Sequence, residues 1–99
     1  MNKTRVADAV ARFTAENYSG KVVEVGIGSY QEVARKLVSE SGIEIVVTDT
    51  HEIDTELDFV KDDITAPSIR VYEDANLIYS IRPPYEIHGA LENVAREVG

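Results

Sequence analysis

The residues with the clearest chemical potential lie in the stretch Lys21-Val22-Val23-Glu24-Val25-Gly26-Ile27-Gly28-Ser29-Tyr30. A β-branched run enters a turn with two glycines, and a helical pattern follows. Gly26 allows a tight turn. Gly28 lets backbone approach a ligand that a Cβ would push away. Free N–H groups at the start of the next helix would then face that ligand. Asp49 stands at the end of the second apolar run, about 20 residues on, where a carboxylate accepts hydrogen bonds from ribose hydroxyls. The alternative is that it caps the turn that follows. Asp62 and Asp63 follow the third run. Asp63, next to Ile64, is the better placed to accept from an adenine amino group; the alternative is a turn aspartate.

Ser80-Ile81-Arg82-Pro83-Pro84-Tyr85 is expected at the carboxyl end of a fourth strand, an edge that borders the ligand crevice in doubly wound sheets. Arg82 is a bidentate donor for a carboxylate or phosphate, and the Pro-Pro step would present Arg82 and Tyr85 rigidly. Equally, Pro-Pro ends the strand and Arg82 pairs with Glu24 or Asp49. Neither His51 nor His88 belongs to a cluster at metal-ligand spacing, so no metal is expected. No Ser/His/Asp nucleophile arrangement is visible.

These residues must be positioned by alternating strands and helices. Val6, Ala9, Val10 and Phe13 recur at three- and four-residue spacings and predict one buried face of a helix from about Lys3 to Tyr18, closed by Ser19-Gly20. The first strand is Lys21 to Val25. Ser29 and Glu32 fit a capping box, opening a helix with Val33, Ala34, Leu37 and Val38 on its buried stripe and Ser41-Gly42 at its end. Ile43 to Thr48 is an apolar run that suits a parallel strand covered on both faces. Thr50 to Glu56 is polar, with room for one or two helical turns. Leu57 to Val60 is the third strand, and the connector after Pro67 holds a helical turn. Leu77 to Ile81 is the fourth strand. Tyr85 to Val98 is the last helix, with Ile87, Leu91, Val94, Ala95 and Val98 facing the core and Gly99 as its cap. The reading is an α/β fold, a three-layer Rossmann-like sandwich on a mostly parallel four-stranded sheet in the order 3-2-1-4, in one domain over residues 1–99.

The formal charge is −8 with 18 acidic and 10 basic residues, which disfavours a general nucleic-acid surface. There is no cysteine, hence no disulfide or zinc–thiolate chemistry. No apolar run approaches the ~20 residues of a membrane span, and a cytoplasmic location is expected.

Val22-Val23-Glu24-Val25-Gly26-Ile27-Gly28, Val47-Thr48-Asp49, Asp63-Ile64 and Asp74-Ala75-Asn76-Leu77-Ile78-Tyr79-Ser80-Ile81-Arg82-Pro83-Pro84 occur together and in order. With them the chain resembles a small uncharacterised archaeal family with a truncated S-adenosylmethionine-methyltransferase-like Rossmann domain. The resemblance implies that Glu24, Gly26 and Gly28 line the methionine end of S-adenosylmethionine, with Asp49 at its ribose and Asp63 at its adenine. It places Arg82, Pro84 and Tyr85 where amino-group methyltransferases carry an Asn/Asp-Pro-Pro-Tyr loop, although no Asn or Asp heads the loop here. Ser80, Arg82 and Tyr85 are then the catalytic candidates. Partner-dependent methyl transfer is one expectation; a catalytically inactive interaction module is the other, and a dinucleotide-binding regulator a third. Strand four would be an apolar edge, expected to pair with a second copy, another protein or a further segment.

Overall fold

A computed structural model describes residues 3–81, 83 and 85–99. Helix α1 (Lys3–Asn17) leads into β1 (Gly20–Val25), then α2 (Glu32–Val38), β2 (Ile43–Asp49), β3 (Phe59–Lys61), a 3-10 turn at Ile69–Val71, β4 (Ala75–Tyr79), a 3-10 turn at Tyr85–Ile87, and α3 (His88–Val98). The four strands form one sheet in the order β3-β2-β1-β4, and every pairing is parallel. This is the predicted α/β sandwich with the predicted strand order.

Side-chain alternation on β1 and β2 divides the core into two layers. Val22, Ile45 and Val47 pack with Ala7, Ala11 and Leu37 under α1 and α2. Val23, Val25 and Val46 pack with Tyr72 and Val94 on the α3 face. Because both faces are covered, the central residues of β1 and β2 are mostly apolar, and Glu24 is the buried charged residue on β1.

Several local expectations are corrected. The buried face of α1 is Ala7, Ala11 and Thr14, while Val6 and Phe13 are exposed, at 39% and 62%. Small side chains at 7 and 11 let the helix lie close to its neighbours. Thr14 is tolerated inside because its hydroxyl donates to Val10 O at 2.9 Å. Val38 on α2 and Ala95 on α3 are likewise exposed. Helix α2 begins at Glu32 with Gln31 at its cap position and no side-chain cap bond, so the Ser29 capping box does not form. Residues 50–56 contain no helix. Strand β3 starts at Phe59, because Leu57 is spent in the core. Strand β4 starts and ends two residues early, at Ala75 and Tyr79, with a register irregularity opposite Lys21/Val22 that skips Asn76.

Candidate functional site

Strands β1, β2 and β3 progress in one direction and β4 lies on the opposite side of β1, so the topological switch point falls at the carboxyl ends of β1 and β4. The glycine turn leaves β1 there. Gly26 and Gly28 take φ +72° and +51°, the left-handed region that disfavours a side chain.

On its β2 side the turn is closed by internal hydrogen bonds. The Gly26 and Ile27 amides both donate to Thr48 O at 2.9 Å. The Gly28 amide donates to Asp49 Oδ2 at 2.9 Å, and the His51 amide to Asp49 Oδ1 at 3.1 Å. Asp49 therefore faces the loop, as expected, and grips it. The amides of Gly26 and Gly28 are thus engaged within the chain. Gln31, where a dinucleotide fingerprint has its third glycine, is a buried knot. Its Nε2 donates to Gly28 O at 3.4 Å, while its Oε1 accepts from Thr55 Oγ1 at 2.9 Å and from Arg35 Nη2 at 3.1 Å. Arg35 in turn bridges to Glu56 at 3.0 Å.

The β4 side is different. Glu24 is 1% exposed. Tyr79 OH donates to its Oε1 at 2.7 Å, and its Oε2, equally buried, has no hydrogen-bond partner among the described residues. Burial pushes the carboxyl up to about 7, opposed in part by the Tyr79 hydrogen bond. Burial, and then the neighbouring Glu24 carboxyl, push the Tyr79 phenol upward. Beyond them Ser80 Oγ donates to Val25 O at 2.7 Å, tying the end of β4 to β1. A Cβ built on Gly26 would lie 3.9 Å from Ser80 Oγ, so Ser80 borders the turn.

Asp63 lies apart from this group. It is exposed, and its Oδ1 accepts from the Thr65 amide at 2.9 Å and the Thr65 hydroxyl at 2.6 Å; these bonds hold its carboxyl below the usual range. The buried contact falls to its neighbour instead: Asp62 Oδ2 accepts from Tyr72 OH at 2.7 Å, and Asp62 Oδ1 from the Ser68 amide at 3.0 Å. Arg82, Pro84 and the Tyr85 side chain lie outside the described residues.

Sequence reasoning named Glu24, Gly26, Asp49 and Ser80, which the fold brings to one end of the sheet. It missed Gln31 and Tyr79. The signal for Tyr79 was present: alternation along β1 buries Glu24, a buried carboxyl needs a donor, and Tyr79 is the one hydroxyl in β4.

Three grooves among the described residues open elsewhere. One of about 500 Å³ is lined by Arg35, Val38, Ile43, Ile45 and Leu57. Another of about 490 Å³ lies between α1 and α2, and one of about 210 Å³ between residues 64–69 and α3. Among the described residues no group of three or more His, Asp or Glu converges as a metal site would require, and no helix is long and apolar enough to cross a membrane.

Comparison with known proteins gives a consistent result. The sequence profile of an uncharacterised protein family, UPF0146, matches residues 6–99. The UPF0146 protein of Archaeoglobus fulgidus is 47% identical over 92 residues, which cover 91% of this chain and 70% of the relative. That of Pyrococcus horikoshii is 42% identical, covering 94% of this chain and 72% of the relative. That of Methanothermobacter thermautotrophicus is 44% identical, covering 80% and 58%.

Proposed function

The chain belongs to the uncharacterised protein family UPF0146, and from the geometry at its β1–β4 junction we propose that it binds a nucleoside cofactor with a cationic end, S-adenosylmethionine or its close chemical kin, in the cytoplasm. The observation that carries this reading is Glu24: a buried carboxyl at the switch point whose Oε2 lacks a partner among the described residues. A buried polar atom without a partner costs on the order of 1–3 kcal/mol. An ammonium group placed against Oε2 would remove that cost and would favour the ionised carboxylate.

Asp49 is the ribose partner in this reading. A carboxylate accepts at about four lone-pair sites; the Gly28 and His51 amides take one on each oxygen, leaving capacity for two ribose hydroxyls. Gly26, exposed and without a Cβ, admits the methionine portion between Glu24 and Ser80. Gly28 lies beside the ribose. Asp63, exposed beyond β3, would accept from the adenine amino group. Chemistry would be positional: the site holds the sulfonium methyl in line with a nucleophile at near-attack distance. The methyl passes to the nucleophile's lone pair and the sulfonium becomes a thioether. A partner supplies the acceptor, with Ser80, Arg82 and Tyr85 orienting it.

A second reading rests on the β2 side of the turn, where the amides of residues 26, 27 and 28 are all satisfied internally. There the fold is retained without a ligand, and the protein serves as an interaction module. Titration calorimetry with S-adenosylmethionine, its demethylated product and NAD separates these. Binding of the first two, lost in Gly26→Val and Asp49→Ala proteins that remain folded, is the expected result. No heat from any of them in a folded protein leaves the interaction module. Tight binding of NAD alone would indicate a dinucleotide site.

A further inference from the structure

The groove of about 500 Å³ lies where β2 begins, at the end of the sheet opposite the glycine turn. It exists because β3 is short. Strand β3 meets β2 only from Val47 to Asp49. The first half of β2 therefore has β1 on one side and, among the described residues, no strand on the other. Backbone groups alternate in direction along a strand in a ladder. Val47 N donates toward β3, to Asp58 O at 2.9 Å, while Thr48 O accepts from the β1 side. Ile45, two residues before Val47, thus aims its N–H and C=O at the open side, and Ile43 aims its C=O there. Among the described residues no backbone partner meets these three groups.

Side chains alternate as well. Ile43 and Ile45 pack under α2, and so do Leu57 and Phe59 of the returning chain. Ile43, Ile45 and Leu57, with exposed Val38 of α2, give the groove an apolar lining. Glu44 and Asp58 each sit between two such residues and so turn to the opposite face; both are exposed at the groove's rim. Neither has an ion pair among the described residues. Lys21, the cross-strand neighbour of Glu44, gives its ammonium to Glu73 O at 3.0 Å instead. The cation in the lining, Arg35, is held by Glu56 at 3.0 Å and by Gln31 at 3.1 Å.

We propose that this groove seats a short extended segment of a partner protein as an added strand against Ile43–Ile45, apolar at the positions turned toward α2 and basic at those between. Each feature selects one property of the occupant. The three open ladder groups select an extended backbone, and the apolar lining takes alternate side chains. The unpaired carboxylates of Glu44 and Asp58 take the lysines or arginines that alternate with them. Three residues of β2 span roughly 10 Å, so a segment of about five residues, an ordinary strand, covers the lane. A second copy of this chain fits poorly. It carries a net charge of −8, and a two-fold pairing of this edge sets acidic rim against acidic rim. The same carboxylates disfavour nucleic acid. The inference does not rest on ligand binding at the glycine turn.

The test uses the full chain, isotope-labelled for amide spectra, and three end-blocked peptides: alternating Lys-Val-Lys-Val-Lys, its block isomer Lys-Lys-Lys-Val-Val, and Glu-Val-Glu-Val-Glu. The alternating basic peptide is expected to shift the Ile45 and Leu57 amide resonances saturably and to slow Ile45 exchange about ten-fold, as an added strand would. The block isomer should bind about ten-fold more weakly, because it cannot place apolar and basic side chains on opposite faces. The acidic peptide should not bind. In the Glu44→Lys/Asp58→Lys protein, changed only at exposed positions, the preference between the alternating basic and acidic peptides should reverse. Equal binding of the two basic isomers would reduce the contact to charge alone and overturn the proposal. No response to any peptide, or responses confined to residues outside 43–45 and 56–58, would overturn it too. So would protection of Ile45 that grows with chain concentration, which would make a second copy the occupant.

Discussion

The two sides of the glycine turn solve opposite problems. Toward β2, the backbone amides of residues 26–28 each find an acceptor, on Thr48 or Asp49, and Gln31 binds the loop to Thr55 and Arg35. Toward β4, a buried carboxyl has one oxygen bonded to Tyr79 and the other without a partner among the described residues, next to an uncharged strand edge. The closed side fixes the shape of the turn. The open side retains unsatisfied capacity, and unsatisfied capacity in a buried place is where a ligand has most to contribute. The two sides should therefore answer differently to substitution: with a stability loss that does not depend on pH at Gln31 on the β2 side, and with a pH-dependent one on the β4 side.

The largest effect is expected at Glu24. In the unfolded chain its carboxyl releases a proton near the ordinary value of 4.5, whereas in the folded chain it holds it to about 7. Between those values the folded chain binds the extra proton. This group's contribution to stability is thus complete below the ordinary value, falls as pH rises through the window, and levels off above 7, by up to about 3 kcal/mol. Glu24→Gln removes the ionisation and should flatten that part of the profile. Urea midpoints at pH 5 and pH 8 should show the variant gaining on the parent at the higher pH. A parallel shift at both values would mean that the carboxyl is not desolvated as described.

Tyr79→Phe comes next. It takes the donor from Oε1 and leaves both carboxyl oxygens buried without partners, at a cost of about 1–3 kcal/mol. The loss should be greater at pH 8 than at pH 5, because the Tyr79 bond favours the charged form. On the β2 side, Gln31→Ala releases Gly28 O, Thr55 and Arg35 together, for about 1–2 kcal/mol. That loss should be the same at both pH values, since no carboxyl loses its partner. Equal pH dependence in the two variants would erase the contrast between the sides.

The frame of this protein was legible from sequence because parallel strands covered on both faces are largely apolar, and Val22–Val25 and Ile43–Thr48, broken by Glu24 and Glu44, are such runs. The glycines marked the turn, and both take positive φ there, at 26 and 28. Periodicity failed on α1 because it scores Val and Phe above Ala, while close packing against α2 and the sheet selects Ala7 and Ala11. The boundaries of β4 slipped by two residues because register is set by the partner strand, as the skipped Asn76 shows, and β3 starts two residues late because Leu57 packs in the core. Sequence favoured Asp63 over Asp62 as an acceptor by its place beside Ile64; the fold sends Asp62 to buried Tyr72 and Asp63 to exposed Thr65. Gln31 was visible only as a missing glycine, since its three partners lie at 28, 35 and 55.

A substitution with a stability effect no larger than that of Gln31→Ala gives the sharpest test of what the turn is for. A Cβ on Gly28 would meet nothing nearer than Gly26 O at 4.0 Å. The protein's own atoms thus leave room for a methyl group, and only the φ of +51° resists it. Gly28→Ala should cost about 1–2 kcal/mol, the ordinary strain of an L-residue in the left-handed region. If backbone at Gly28 exists to meet a ligand, the same methyl group occupies the ligand's place, and calorimetric affinity for S-adenosylmethionine should fall far more than stability does. Retained affinity in the alanine protein would separate the glycine's conformation from any contact, and would leave Glu24 and its unpartnered oxygen as the sole support for a site at this end of the sheet.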